Sequence, residues 1–202
     1  MERQIELARE LQALAQTGLY YCQDKFCRER YNRIRDIAAE MVAERTDLPL
    51  AKVKDLFCDE IGYQTPKIDT RAAIFRDGKI LLVREKGGWS LPGGWCEVNL
   101  SPAENVIKEA REEAGLDCVV EKIIAVHDYT KHNRPPFIFG IVKIFYLCRA
   151  TGGDFVPNIE TDAEGYFSED NLPEMNLARS TAEQVKLCFE AARADVWETR
   201  FD

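Results

Sequence analysis

Glu109, Glu112 and Glu113 fall close together in Lys108-Glu-Ala-Arg-Glu-Glu113. On a helix, at about 100° per residue, the three carboxylates share one narrow arc. Two carboxylates about 4 Å apart repel by roughly 4 kcal/mol at an effective dielectric of 20, so a cluster fixed on a packed helix invites a cation. Hard oxygen donors of this kind suit Mg²⁺ or Mn²⁺. The same spacing also describes a solvated acidic helix face, the commoner meaning of an isolated E-x-x-E-E.

Other residue types with chemical reach lie nearby in the chain. Trp89 and Trp95 flank a glycine loop, where they could stack on a nucleobase or face a quaternary ammonium by cation–π attraction, or simply fill a core. His127 and His132 are the only histidines. His127 falls at a strand end, whereas His132, beside Lys131, Asn133 and Arg134, could contact a phosphate or a base, or remain a loop histidine. Cys96 reads as a small hydrophobe with no assigned role.

The elements that must position these groups follow from patterning. Ser101 and Glu104 fit a capping box, Pro102 fits the first helical position, and Gly115 fits a left-handed C-terminal cap, which predicts a helix over 102–114. Ala103, Val106, Ile107, Ala110 and Ala114 form the neighbouring arc that packs on a sheet. Thr70–Phe75 and Lys79–Arg84 flank Asp77-Gly78, a hairpin signal. Further strands are expected at Cys118–Asp128, Ile141–Arg149 and Gly165–Ser168, with a closing helix over Ala182–Ala194.

Residues 2–61 instead carry helical spacing: Ile5, Ala8, Leu11 and Ala15, then a helix capped by Asp24, then Val53, Leu56, Phe57 and Ile61. The texture changes at Gly62–Pro66, which predicts a three-helix domain over 1–62 and a second domain over 67–202. About 60 residues build little core alone, so the helical domain is expected to mediate a homodimer.

The chain has 202 residues, 46% of them hydrophobic, enough for a sizeable core. With 27 basic and 35 acidic residues its net charge is −8, which offers no broad footprint for nucleic acid or anionic membranes. Seven cysteines form no CxxC pair, and no apolar run approaches the roughly 20 residues of a membrane span. Reduced thiols in a soluble, cytoplasmic protein are the expectation.

Taken together, Gly94, Glu109, Ala110, Glu112, Glu113, Gly115 and Leu116 resemble the Nudix box, G-x5-E-x7-R-E-U-x-E-E-x-G-U with U aliphatic. Two positions depart from it: Leu100 stands where the family has glutamate, and Lys108 where it has arginine. Lysine keeps the charge but loses the planar fork, so the glutamates must find other orienting partners. Pro92-Gly93-Gly94, Leu81-Leu82-Val83 and Phe167…Asn171-Leu-Pro173 extend the likeness over 67–202. Gly88-Trp89-Ser-Leu-Pro-Gly-Gly-Trp95, Lys131-His132 and the helical segment are similar to the ADP-ribose pyrophosphatase-like branch, which includes bacterial CDP-choline pyrophosphatases.

The resemblance implies an α/β Nudix fold, a mixed sheet between helices, preceded by the three-helix domain. It implies Mg²⁺-dependent attack of water on the pyrophosphate of a nucleoside diphosphate linked to another group, CDP-choline or ADP-ribose first. Glu109, Glu112, Glu113 and the carbonyl of Gly94 would hold the metal. The proton would pass to Glu112, Glu113 or a loop glutamate, Glu160 ahead of Glu164. The departures at 100 and 108 keep open a weakly active nucleotide sensor, and Lys131–Arg134 an RNA-end exonuclease.

Overall fold

Helical spacing in the first segment yields α1 (Glu2–Tyr21), α2 (Lys25–Ala43) and α3 (Leu50–Phe57). The computed structural model describes residues 2–46, 48–85, 88–157, 159 and 161–202. Ile5, Ala8, Ala38, Ala39, Val42, Val53 and Phe57 form the core of the helices. The buried Gln12 amide ties α1 to the end of α3 by donating to Phe57 O (2.9 Å). Asp24 caps α2 as expected, its side chain accepting from the Cys27 N–H at 2.7 Å. The third helix is shorter than its apolar pattern predicts: it stops at Phe57, and Leu56 and Ile61 are 45% and 91% exposed. Residues 1–66 and 136–140 group in one unit, and 67–135 and 141–202 make the other.

In that second unit, β1 (Lys67–Arg76) and β2 (Lys79–Glu85) form the expected hairpin. Asp77 and Gly78 both take positive φ, 51° and 72°, as a two-residue turn matched to strand twist requires. The remaining strands are β3 (Gly88–Ser90), β4 (Leu116–Asp128), β5 (Ile141–Gly153), β6 (Ala163–Phe167) and β7 (Arg200–Phe201). They order as β3-β2-β1-β5-β4-β7, with β6 also on β2. The pair β1–β5 is parallel and the pair β4–β5 antiparallel, which makes the sheet mixed.

Among the described residues, three helices belong to this unit: α4 (Pro102–Ala114), the single turn α5 (Tyr129–His132) and α6 (Ala182–Arg193). Alternation along β1 sends Ala72 and Ile74 to one face, where they meet Val106, Ala110 and Ala114 of α4. Ala73 goes to the other face, with Phe145 and with Val185, Cys188 and Phe189 of α6. The sheet is therefore packed by one helix on each face, which explains unbroken buried runs such as Ile80–Val83. Each fully buried side chain of this size contributes about 1.5–3 kcal/mol. No helix among the described residues is long and apolar enough to cross a membrane.

Candidate active site

The capping box that the sequence predicts is formed: the Ser101 hydroxyl accepts from Glu104 N–H, and the Glu104 carboxylate accepts from Ser101 N–H at 2.9 Å. Gly115 closes the helix at φ 66°. These ends place α4 over residues 91–96, which run alongside β1. Ala72 N–H donates to Pro92 O (2.8 Å), Thr70 N–H to Gly94 O (2.9 Å) and Cys96 N–H to Ile68 O (2.8 Å). The Gly94 carbonyl, assigned to the metal from sequence, is thus turned to β1. Its neighbour faces the helix: the Gly93 N–H donates to Glu113 Oε2 at 2.8 Å.

Close approach to backbone requires glycine at 93, whereas at 94 it leaves room for the end of the Glu109 side chain. A Cβ at Gly93 would lie 1.9 Å from Thr70 O, at a φ of 143° that side chains rarely adopt. A Cβ at Gly94 would lie 2.9 Å from Glu109 Oε2. Gly93→Ala is accordingly expected to cost more than about 2 kcal/mol, from backbone strain plus the clash. All three tryptophans, Trp89, Trp95 and Trp197, belong to the sheet-bearing unit, so their fluorescence in urea reports its unfolding. An unchanged midpoint would overturn the packing argument.

The three glutamates do not share one environment. Glu109 is the centre of the arc, Glu113 lies about 40° to one side and Glu112 about 60° to the other, so neighbouring 112 and 113 diverge by about 100°. Glu113 is buried and Glu109 nearly so, at 3% and 13% exposed. The Glu112 side chain is 55% exposed and is paired with Lys108. Among the described residues no group of three or more His, Cys, Asp or Glu side chains converges as a ligand cluster, so the single cluster expected from spacing is a pair in the cradle with Glu112 outside it. Burial pushes the Glu113 carboxyl up to about 8, against the pull of the Arg71 charge and the Gly93 N–H.

Several supporting residues escaped the sequence reading. Asp69 and Arg71 on β1 and Lys143 on β5 are buried together at the sheet end nearest residues 91–96. Arg71 Nε and Nη2 bind the Asp69 carboxylate at 2.9 and 2.7 Å, and Lys143 Nζ binds Asp69 Oδ1 at 2.7 Å. Arg71 Nη1 also donates to Leu91 O (3.1 Å), anchoring the start of the glycine loop. Asn105, buried on α4, accepts from Glu97 N–H (3.1 Å) and donates to Thr70 Oγ1 (2.9 Å). Their signal was a charged or amide side chain inside an otherwise apolar strand or helix run. Glu85 at the end of β2 pairs with Arg179 through Oε2 (2.5 Å), while its Oε1 is buried with no hydrogen-bond partner among the described residues.

As a pair, Glu109 and Glu113 offer hard oxygen donors of the kind a divalent cation takes, with further ligands needed to complete its shell. Glu109 and Glu113 stand against the glycine loop, and Glu85 is near enough to raise Glu113 further while keeping an unpartnered oxygen.

The other sequence candidates lie elsewhere. Trp89 packs edge-on against Phe167 at 4.8 Å within the α6-side cluster, so the two tryptophans do not play equal parts; Trp95 is 46% exposed. His132 is stacked on His127 with ring centroids 3.9 Å apart, and its Nε2 meets Asp202 Oδ1 at 2.7 Å, so the phosphate-facing role expected of it is taken by a carboxylate. Lys131 is exposed. The half-buried Glu164 feels Arg76 and Asp154. Glu160 lies outside the described residues; Thr161 beside it is buried, its hydroxyl donating to Glu113 O at 2.8 Å.

Comparison with known proteins agrees with this architecture. Residues 66–188 match the family model of the NUDIX domain, and residues 2–57 match that of a UDP-X-like, N-terminal oligomerisation domain. A Bacillus subtilis (strain 168) protein, YjhB, which carries a provisional ADP-ribose pyrophosphatase name, is 43% identical over 200 residues, 98% of this chain and 96% of that one. A crystal structure of a UDP-X diphosphatase superposes with a TM-score of 0.64 at 33% identity, covering 97% of each chain. An ADP-ribose pyrophosphatase structure from Streptococcus suis 89-1591 gives the same TM-score at 55% identity, over 68% of this chain and 100% of that one.

Proposed function

The chain belongs to the Nudix hydrolase family, and on that premise we propose that it cleaves the pyrophosphate bond of a nucleoside diphosphate linked to a second group, with Mg²⁺ or Mn²⁺ as cofactor. The observation that carries this reading is the buried Glu113 carboxylate held on the Gly93 N–H, with Glu109 beneath Gly94. Glu109 and Glu113, joined by Glu112 once it leaves Lys108, would hold the metal. When bound, that metal neutralises the diphosphate and lowers the pKa of the attacking water. The chain itself supplies orientation: Asp69 fixes Arg71, Arg71 fixes Leu91 O, and the glycine loop keeps the carboxylates in place. The water's proton passes to Glu112, Glu113 or Glu160.

CDP-choline and ADP-ribose are the first substrates to test. The named activities of the relatives support the nucleoside diphosphate class and add UDP-linked compounds. Trp95, half exposed beside the loop, is the aromatic surface on which a base or a trimethylammonium would rest. Assays of these three substrates with Mg²⁺, with both products identified, are expected to show release of a nucleoside monophosphate and a phosphorylated partner. Trp95→Leu should weaken substrate binding by about 0.5–2 kcal/mol. Binding without turnover would instead favour the nucleotide sensor, and release of nucleotides from RNA ends the exonuclease.

The matched oligomerisation domain supports assembly of the chain, which we read as a homodimer. Leu14, Tyr20, Tyr21 and Phe26 leave apolar surface exposed on the helical unit, and light scattering of the full chain measures the oligomeric state. The seven cysteines are free, in keeping with a reducing, cytoplasmic setting.

A further inference from the structure

Lys108 occupies the point where the sequence departs from its family's pattern, and its surroundings give the departure a use. Its Nζ is paired with Glu112, stands 3.3 Å from Glu97 Oε1 and is 4.0 Å from Glu109 Oε1. One cation therefore serves three carboxylates, two of them in the proposed metal set and one, Glu97, outside it. Glu97 is not loosely placed. Its N–H is held by the buried Asn105 side chain (3.1 Å), and its carbonyl accepts from Leu100 N–H (3.2 Å), so the loop presents it to α4 at a fixed position.

Glu112 can give its full charge to a metal only if it gives up Lys108. An ammonium left without a counter-ion beside an arriving divalent cation would oppose it. Glu97 offers Lys108 an alternative carboxylate already within ion-pair distance, so the exchange needs no more than a rotation of the lysine's flexible stem. We infer that Glu97 is a positioning residue that takes Lys108 from Glu112 as the metal enters, doing from position 97 what Leu100 cannot. This rests on the metal-dependent reading above. A leucine at 100 is thereby compatible with a working site.

The hand-off makes a claim that simple through-space attraction does not. If Glu97 acted only as a distant negative charge, its removal would weaken metal binding equally whether or not Lys108 were present. If it acts through Lys108, its effect disappears when Lys108 is gone.

The test is Mn²⁺ binding to the full-length protein, followed by the loss of the free-ion electron paramagnetic resonance signal, with circular dichroism to verify the fold. Glu97→Gln is expected to weaken Mn²⁺ binding by about three- to fivefold, the scale of a partly exposed ion pair. Glu97→Asp should retain wild-type affinity. In a Lys108→Met background, or Lys108→Gln should the methionine variant fail to fold, adding Glu97→Gln should change the affinity by less than about 1.5-fold. A Glu97→Gln loss of the same size in the Lys108→Met background, or a Glu97→Gln protein that binds as the wild type does, would overturn the hand-off alone. A wild-type protein that binds no Mn²⁺ would overturn both the hand-off and the metal-dependent hydrolase reading.

Discussion

Glu113→Gln is expected to lower turnover by about 10²-fold or more while leaving the fold intact, as follows when a metal-positioning or proton-accepting carboxylate is removed. The amide keeps the size and the acceptor that Gly93 N–H requires, and it removes a charge that burial already disfavours. The metal-free variant should therefore be as stable as the wild type or more so. On the metal-dependent reading, Mg²⁺ should stabilise the native state by mass action, and the rise in melting temperature on adding Mg²⁺ should shrink in the variant. Glu104→Gln, confined to the capping box, is the control and should cost no more than about 1 kcal/mol. Wild-type turnover together with an unchanged melting response to Mg²⁺ would return Glu113 to a purely structural role.

The largest effect on stability should come from Asp69, which is far from the glutamates in sequence. Asp69→Ala leaves Arg71 and Lys143 buried with their shared carboxylate gone, a change that typically costs 3–5 kcal/mol. Burial alone would push the Asp69 carboxyl up, but Arg71 and Lys143 overcome it and hold it below the ordinary carboxylate range. The sign follows from linkage. The contribution of Asp69 is complete above its unfolded value of about 3.9 and is lost as pH falls through the lower folded value. Tryptophan fluorescence in urea at pH 7 should show the large loss, and the gap between wild type and variant should narrow as the solution is acidified below pH 4. Asp69→Ala,Lys143→Met, which removes one stranded cation, should recover part of the loss. A midpoint shift worth under about 1 kcal/mol would mean that water reaches these cations.

The helix that carries the three glutamates was legible because its ends are written in local residues: Ser101, Pro102, Glu104 and Gly115 each act within a turn of themselves. The same holds for the Asp77-Gly78 hairpin. The arc of glutamates was legible as an arc but not as an environment, since a helical wheel does not say which edge of the arc the glycine loop covers. Glu113 became buried and Glu112 exposed because residues 91–96 lie along β1, a contact between segments about 25 residues apart. Asp69, Arg71 and Lys143 were unreadable for a related reason. Asp69 and Arg71 are ordinary charged residues two apart on one strand until the pairing of β1 with β5 brings Lys143 to them and buries all three. The pairing of His132 with Asp202 was unreadable because the two lie 70 residues apart.

That pairing of β1 with β5 also bears on how the molecule forms. Its eight registered pairs, Lys67↔Ile141 to Ile74↔Cys148, join residues 74 apart in the chain, and closing so long a loop is entropically uphill before any contact repays it. Until β5 arrives, β1 has only its hairpin and residues 91–96 beside it, and the Asp69–Arg71 pair that anchors Leu91 lacks Lys143. The glycine loop is then less firmly held, and the helix carrying the glutamates can form, through its own caps, before the cradle it covers is complete. On the metal-dependent reading, a divalent cation finds its carboxylates gathered only late, so it is expected to act as a lock on the finished fold rather than as a seed for it, slowing the rate at which the native state opens more than it changes the rate at which it assembles.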